Sequence, residues 1–183
     1  AFIYGGTINN AIDVYDNGYA VLNGGALGEG FNTKGYSQGE FISGSVNRYL
    51  VAYDNSSITM TGGNVELALE AHDKSNILLS GGIVEGGLYA GISNSAESKL
   101  TICGYDFTIN GTTVNYGKYS AADFTNGLIT GKLSSGDILN NNFYIYGNSS
   151  LVLTDNSEIQ TIPAPGALCL TICGLIAGIY KKH

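Results

Sequence analysis

Residues 53–90 read YDNSSITMTGGNVELALEAHDKSNILLSGGIVEGGLYA and contain one motif twice. Tyr53-Asp54 and Gly62-Gly63 return as His72-Asp73 and Gly81-Gly82, each after a 19-residue step along the chain. A repeat with a fixed step of this length is the signature of a solenoid, in which each unit forms one coil. The turn recurs without a gap at five positions: Gly5-Gly6, Gly24-Gly25, Ser43-Gly44, Gly62-Gly63 and Gly81-Gly82.

Apolar residues follow the same 19-residue step and define five columns. Within a unit several of these positions are two residues apart, which is typical of short strands with alternate side chains on one side. We therefore predict an all-β fold, a parallel β-helix with ~19-residue coils and about three short strands in each coil. The columns are Ala1/Ala20/Gly39/Ile58/Ile77, Ile3/Leu22/Phe41/Met60/Leu79, Ile8/Leu27/Val46/Val65/Val84, Ile12/Phe31/Leu50/Leu69/Leu88 and Val14/Thr33/Ala52/Ala71/Ala90.

Three segments follow from where this periodicity holds and where it fails. Residues 1–104 form the coils, with a four-residue insertion expected around residues 91–95. Residues 105–162 have longer, less periodic strands and are predicted to form a terminal β-module that closes the solenoid; its strands are expected at residues 106–110, 128–133, 143–146 and 150–154. Residues 163–183 form an apolar tail. Because Ala1 already lies in an inward column, we expect further coils upstream in the full-length protein.

Composition excludes some partners. The net charge is −7 and the sequence pI is about 4.6, with no basic stripe, so nucleic acid is not an expected ligand. Hydrophobic residues make up 44% of the chain, enough to support a core rather than a disordered segment. The three cysteines, Cys103, Cys169 and Cys173, do not suggest a disulfide framework, and the last two are read as small apolar filler.

The tail has the features of a membrane-seeking segment. Pro163 and Pro165 prevent strand pairing, and residues 166–180 are apolar. As a short C-terminal helix this run would be about 22 Å long, less than a comfortable membrane span. Lys181 and Lys182 follow and can place the charged end on the cytoplasmic side. Three interpretations stay open: a transient anchor, a permanent anchor and a buried element of the domain.

The same tail resembles the PEP-CTERM sorting signal of Gram-negative bacteria. The resemblance rests on the Pro-x-Pro motif with Ala164 at its centre, the apolar stretch with Gly174 and Gly178, and the terminal lysine pair. The family's usual Glu is replaced by Ala164. Residues 105–162 also resemble a module found before such signals. The resemblance implies an exported protein that is processed by an exosortase-like membrane enzyme and delivered to the cell surface or to extracellular polysaccharide.

Acidic residues on the outward side of the coils form vertical neighbours. Asp16, Asp54 and Asp73 share one column, and Glu66 lies one coil below Glu85. Closely spaced carboxylates could be bridged by Ca²⁺. The alternative is that they are solvated turn residues, because the Gly-rich calcium-binding repeat is missing. We assign no metal site or cofactor.

An aromatic column gives the only candidate ligand contacts of the coils: Tyr15, Tyr53 and His72. Flat rings that are exposed one above another can serve as a platform for sugars, so extracellular polysaccharide is a candidate partner. Tyrosine is also an ordinary strand and turn residue, which is the structural alternative for this column.

Catalysis is not predicted within the chain. Arg48 is the only arginine, and its column neighbours include Glu29 and Leu67. His72-Asp73-Lys74 lies in a turn where no paired acid is expected on the same side, and no nucleophile–base set is visible. We expect a non-catalytic structural or adhesive surface protein. The alternative is a fragment of a polysaccharide-acting β-helix lyase or hydrolase whose active face lies upstream.

Overall fold

A computed structural model describes residues 1–155 of the protein. These residues are all-β, and no helix occurs among them. They form a solenoid of about five coils that is extended by further strands. The predicted short apolar helix at the C-terminus lies outside the described residues.

The coils repeat one arrangement of strands. The first coil holds β1 (Phe2–Ile3), β2 (Thr7–Ile8) and β3 (Ile12–Val14). In each of the next four, a nine-residue strand precedes a shorter one: β4 (Tyr19–Leu27) and β5 (Phe31–Thr33), β6 (Gln38–Val46) and β7 (Tyr49–Ala52), β8 (Ser57–Val65) and β9 (Ala68–Ala71), β10 (Asn76–Val84) and β11 (Gly87–Ala90). The remaining strands are β12 (Lys99–Ile109), β13 (Thr112–Thr113), β14 (Gly117–Ser120), β15 (Asn126–Leu133), β16 (Ile138–Ile145) and β17 (Ser150–Thr154).

Parallel pairing between coils confirms the predicted stacking. Val46 pairs with Val65, and Val65 pairs with Val84, each one coil further along. One sheet, which we call sheet A, has a parallel part that contains β1, β2, β4, β6, β8, β10, β17 and the first half of β12. The short strands β3, β5, β7, β9, β11 and the end of β16 form the parallel part of sheet B.

The number of strands in a coil differs from the expectation. Three short strands occur only in the first of the five coils, and in the other four the first two are joined into one long strand. The join passes through the glycine turn, where the parallel register shifts. Gly44 shows why glycine is needed there: its φ is +104°, and a Cβ would collide with the carbonyl oxygen of Gly25 in the preceding coil. The chain can therefore bend without ending the strand.

The predicted columns fill the interior. From the second to the fifth coil their members are buried, with Leu22, Phe41, Met60 and Leu79 at 1% exposure or less. Large side chains of one coil pack against small residues of the next. For example, the ring of Phe31 leaves no room for a Cβ on Gly39. The first coil is more open, and its Ile3 and Ile12 are only partly buried against the core.

The predicted insertion is also observed. Asn76 pairs with Ser57 on one side and with Lys99 on the other, so the 19-residue step becomes a 23-residue step. The four extra residues belong to the turn between Ala90 and Lys99, which has bends and no strand. The stack of sheet A then continues in register, because Leu79 pairs with Ile102.

A buried serine column lines the corner between each short strand and the next long one. Ser37, Ser56, Ser75 and Ser98 are almost fully buried. Each hydroxyl donates a hydrogen bond of 2.8–3.0 Å to a backbone carbonyl of the preceding coil. The acceptors are the carbonyls of Val14, Thr33, Ala52 and Ala71. These bonds give the serine hydroxyls, which are buried in the corner, a hydrogen-bond partner.

The chain leaves the stack within β12 and returns within β16; we call residues 104–142 the excursion. The predicted boundary between residues 104 and 105 falls inside β12. The second half of β12 pairs antiparallel with β13 and β15, and β15 pairs antiparallel with β16. β16 then rejoins sheet B parallel to β11, and β17 rejoins sheet A parallel to β12.

Both sheets change from parallel to antiparallel pairing at this end. In sheet B the change occurs at β16 and β15, and in sheet A it occurs where β14 pairs with β17. The excursion thus supplies strands that cover the last parallel edge of each sheet, which limits pairing with other chains.

Side chains of the excursion fasten it to the fifth coil. The Asp137 carboxylate accepts 2.7 Å hydrogen bonds from the backbone N–H of Gly82 and from the Ser135 hydroxyl. The buried Asn141 amide donates to the carbonyls of Val84 and Gly86 at 2.6 and 2.8 Å. The corner glycines of the coil and the excursion are thereby held together.

The Asp137 anchor predicts a local loss of stability in acid. The Gly82 N–H, followed by the Ser135 hydroxyl, lowers the pKa of Asp137. The carboxylate therefore contributes stability above its unfolded pKa of about 3.9, and this contribution is lost as the pH falls through the lower folded pKa. Asp137→Asn is expected to cost less than ~1 kcal/mol at pH 7, because the site is partly solvated, and to flatten the decline of stability below pH 4.

The measurement is urea unfolding at pH 7, 4 and 3 for the wild type and the variant. Asp123→Asn is the matched control, because the pKa of Asp123 is also lowered but its hydrogen bonds come from Ser120 within the same loop. An equal effect of both substitutions at every pH would contradict a specific anchoring role for Asp137.

Candidate functional site

The outward side of sheet B carries several aromatic and polar side chains, and we call it the outer face. Because side chains alternate along a strand, the residues between the buried columns point away from the core. Pairing places one outward residue of each strand directly above another, forming a line parallel to the solenoid axis that we call the central column: Asp13, Asn32, Val51, Glu70, Tyr89 and Tyr144.

The predicted aromatic column lies along one side of the outer face. The rings of Tyr53 and His72 are in contact, with their centroids 4.6 Å apart. Tyr15 does not contact them, because Lys34 occupies the intervening coil. The Lys34 ammonium lies 4.9 Å from the Tyr15 ring and 5.6 Å from the Tyr53 ring, close enough for cation–π attraction to both. The ladder therefore has four members, Tyr15, Lys34, Tyr53 and His72, of which Lys34 was not predicted.

A recess of about 410 Å³ opens beside this ladder. Its floor includes Gly30 and Val51, and Val51 is only 3% exposed although it points outward. Tyr49 and Tyr53 line the recess on either side of Val51 in the same coil. Polar groups complete the lining: Glu29, Asn32, Arg48 and Glu70. Small ligands commonly bind in spaces of this size that combine apolar surface with a few polar groups.

The charged groups around the recess are bonded to one another. Arg48 Nη1 lies 2.8 Å from Glu29 Oε2, and Lys34 Nζ lies 3.1 Å from Asp13 Oδ1. Hydrogen bonding to Glu29 raises the pKa of Arg48, and hydrogen bonding to Asp13 and then Tyr15 raises the pKa of Lys34. Both cations are therefore charged at neutral pH and fixed by acids of the preceding coil.

His72 has an acidic partner that was not predicted from the sequence. Its Nε2 lies 2.9 Å from Glu70 Oε2, and the two side chains are 18% and 15% exposed. The expectation of no paired acid was wrong, because the acid lies in β9 and not in the turn of His72-Asp73-Lys74. Residues two apart on a strand point to the same side, and Glu70 precedes His72 by two. Lys74 pairs with Glu97 at 3.3 Å, across the enlarged turn.

A second aromatic surface, formed by Tyr89 and Tyr144, lies further along the central column. The rings of Tyr89 and Tyr144 are stacked, with centroids 4.8 Å apart and planes at 11°. The Tyr89 ring also extends over Gly87, where a Cβ would lie 2.7 Å from it. Burial, followed by Tyr144 and Glu70, raises the pKa of Tyr89, and burial and then Glu70 raise the pKa of Tyr53. Both hydroxyls thus stay protonated at neutral pH and can donate hydrogen bonds.

The aspartate column has a structural role. Asp54 accepts a hydrogen bond from Gly35 N–H at 2.8 Å, and Asp73 accepts one from Asp54 N–H at 3.1 Å. Asp16, Asp54 and Asp73 all have positive φ, a conformation that Asp tolerates better than most residues. Glu85, predicted above Glu66, accepts instead from Asn64 at 2.9 Å. Within residues 1–155 no three potential metal-binding side chains come together.

Cys103 is the one cysteine within the described residues, and it is fully buried. Burial, with a smaller effect of Asp155, raises the pKa of its thiol to about 11. It therefore stays a neutral thiol and acts as a small core residue, not as a nucleophile.

The residues predicted for sorting lie outside the described residues: Pro163, Ala164, Pro165, Gly174, Gly178, Lys181 and Lys182. Among residues 1–155 there is no helix long and apolar enough to cross a membrane. No family model, curated protein or solved structure matches the chain.

Proposed function

We propose that the protein is a non-catalytic structural or adhesive component of the cell surface or extracellular matrix that binds carbohydrate on the outer face. The observation that carries this proposal is the recess between Tyr49 and Tyr53, whose rim holds ionic and amide groups. Sugars present C–H groups that pack on aromatic rings and hydroxyl groups that need hydrogen-bond partners. The recess offers both in one place.

The pairing of the acidic residues at the recess favours binding without cleavage. Glycoside hydrolysis uses two carboxyl groups on opposite sides of the bond to be broken, one of them a proton donor. Glu29 is held by Arg48 and Glu70 by His72, so each carboxylate already has a cationic or hydrogen-bonding partner. Both acids are thus engaged in pairs within the protein, and their remaining lone pairs can accept hydrogen bonds from a sugar.

Delivery to the surface is the part of the proposal that concerns residues 163–183. We propose that this tail acts as a sorting signal for an exosortase-like enzyme, on the strength of its resemblance to PEP-CTERM signals. Deleting residues 163–183 in the producing bacterium should leave the solenoid folded and abolish its surface delivery. Immunodetection on intact cells and in cell fractions measures this, and unchanged delivery would contradict the sorting role.

Carbohydrate binding is tested by affinity electrophoresis against a panel of soluble polysaccharides. Tyr53→Ala should reduce the retardation because it removes a ring from the recess. Tyr105→Ala is the matched control: Tyr105 is 42% exposed with Lys132 5.8 Å from its ring, but it does not line the recess. Equal retardation of both variants and the wild type would contradict the proposed site. Release of new reducing ends would instead support the enzymatic alternative.

A further inference from the structure

We propose that the ligand is an uncharged polysaccharide chain that lies parallel to the solenoid axis, across the recess and onto the Tyr89–Tyr144 pair. This inference rests on the proposed carbohydrate function and adds the direction, length and charge of the ligand. We call the recess and the Tyr89–Tyr144 pair the two aromatic stations. They are joined through the central column, in which Val51, Glu70, Tyr89 and Tyr144 are successive neighbours.

The direction follows from the register. Each step along the central column is one strand spacing of ~4.8 Å, so the three steps from Val51 to Tyr144 cover roughly 14 Å. This distance is longer than one sugar ring and requires an oligosaccharide to reach both stations. The ladder of Tyr15, Lys34, Tyr53 and His72 runs beside the column in the same direction, and it forms a continuous rim along the axis.

The middle of this path is equipped for hydroxyl groups. Glu70 lies between the stations, with Val51 and Tyr89 as its neighbours in adjacent coils. One of its oxygens accepts from His72, and a carboxylate can accept further hydrogen bonds. The protonated hydroxyls of Tyr53 and Tyr89 can donate on either side. A sugar chain has both C–H faces, which can pack on the two aromatic surfaces, and hydroxyl groups, which can bond to the polar residues between them.

The charges favour a neutral polymer. The outer face holds the carboxylates of Asp13 and Glu70, and that of Glu29 lies beside it at the recess. Asp13 and Glu29 are the two that carry ion pairs to lysine or arginine. A uronate or sulfate group would have to displace one of these pairs or lie close to Glu70. The net charge of −7 opposes an anionic polymer over longer distances as well.

The test is a calorimetric titration of the full chain with glucose, mannose and galactose oligosaccharides of increasing length. In the series that binds, affinity should rise with length until the chain reaches both stations. Tyr144→Ala should weaken the longer oligosaccharides roughly three- to tenfold and leave the shortest binder unchanged. Tyr53→Ala should weaken all lengths. Tyr144→Phe, which keeps the stacked ring, should retain most of the affinity, and Tyr105→Ala should retain all of it.

The possible results distinguish a failure of the axial arrangement, of the uncharged ligand and of the proposed function. If Tyr144→Ala binds long oligosaccharides as the wild type does while Tyr53→Ala is impaired, the axial arrangement is wrong and the recess stands. Preferred binding of polygalacturonate or a sulfated glucan would contradict only the inference that the polysaccharide is uncharged. If no carbohydrate binds, neutral or charged, the proposed function fails and the inference fails with it. Thermal unfolding of each variant shows whether a loss of affinity reflects a loss of fold.

Discussion

Leu69→Ala is expected to lower the free energy of unfolding by about 2–5 kcal/mol, a large part of the stability of a domain of this size. Leu69 is fully buried and is paired with Leu50 on one side and Leu88 on the other. Its removal leaves a cavity that borders three coils. Neighbouring coils cannot close it, because their spacing is fixed by the hydrogen bonds of both sheets.

The matched control lies two residues away. Leu67→Ala removes the same number of atoms in the same coil, but Leu67 is 45% exposed at the corner before β9. A change of no more than about 0.5 kcal/mol is expected for it. Urea unfolding followed by circular dichroism measures both variants. Similar losses for Leu67 and Leu69 would contradict the inward orientation of the column.

Deletion of one whole coil should preserve the fold, whereas a deletion that is shorter by one residue should destroy it. Deletion of residues 47–65 takes out one 19-residue unit and joins Val46 to Glu66, which is the equivalent of Asn47 in the next coil. Every buried column then remains continuous. Deletion of residues 47–64 shifts the downstream strands by one position, and such a shift turns each buried side chain toward solvent.

The expected result is a soluble protein with cooperative thermal unfolding for the first deletion and an aggregated or unfolded chain for the second. Circular dichroism and size-exclusion chromatography distinguish these states. The shorter solenoid lacks Tyr49 and Tyr53 and should therefore not be retarded by the polysaccharide that binds the wild type. If both deletions fold equally well, the stacking of columns does not determine this structure.

The coils could be predicted because burial and repeat length act together. Val46, Val65 and Val84 are similar in character at a constant spacing, and the structure pairs them as expected. The buried serines were not predicted, although Ser37, Ser56 and Ser75 keep the same spacing. Serine in a turn is usually solvated, whereas here a carbonyl of the preceding coil accepts a hydrogen bond from the buried hydroxyl.

The candidate site was predicted in part. Tyr53 and His72 are adjacent, as the repeat indicates, whereas Tyr15 is separated from them by Lys34. Glu70 could have been found, because it lies in an outward column of the same repeat. Tyr144 could not, since the excursion interrupts the register and leaves this residue with no periodic relation to Tyr89.

The separation of paired residues along the chain also bears on how the protein folds. Most strands of the coils pair with a segment that is one 19-residue step away, so little chain entropy is lost when one coil docks on the next. The contact of Asp137 with Gly82 closes a much longer loop and comes at a higher entropic cost. We expect a nucleus in the middle coils that propagates outward, with the excursion docking in the final kinetic phase.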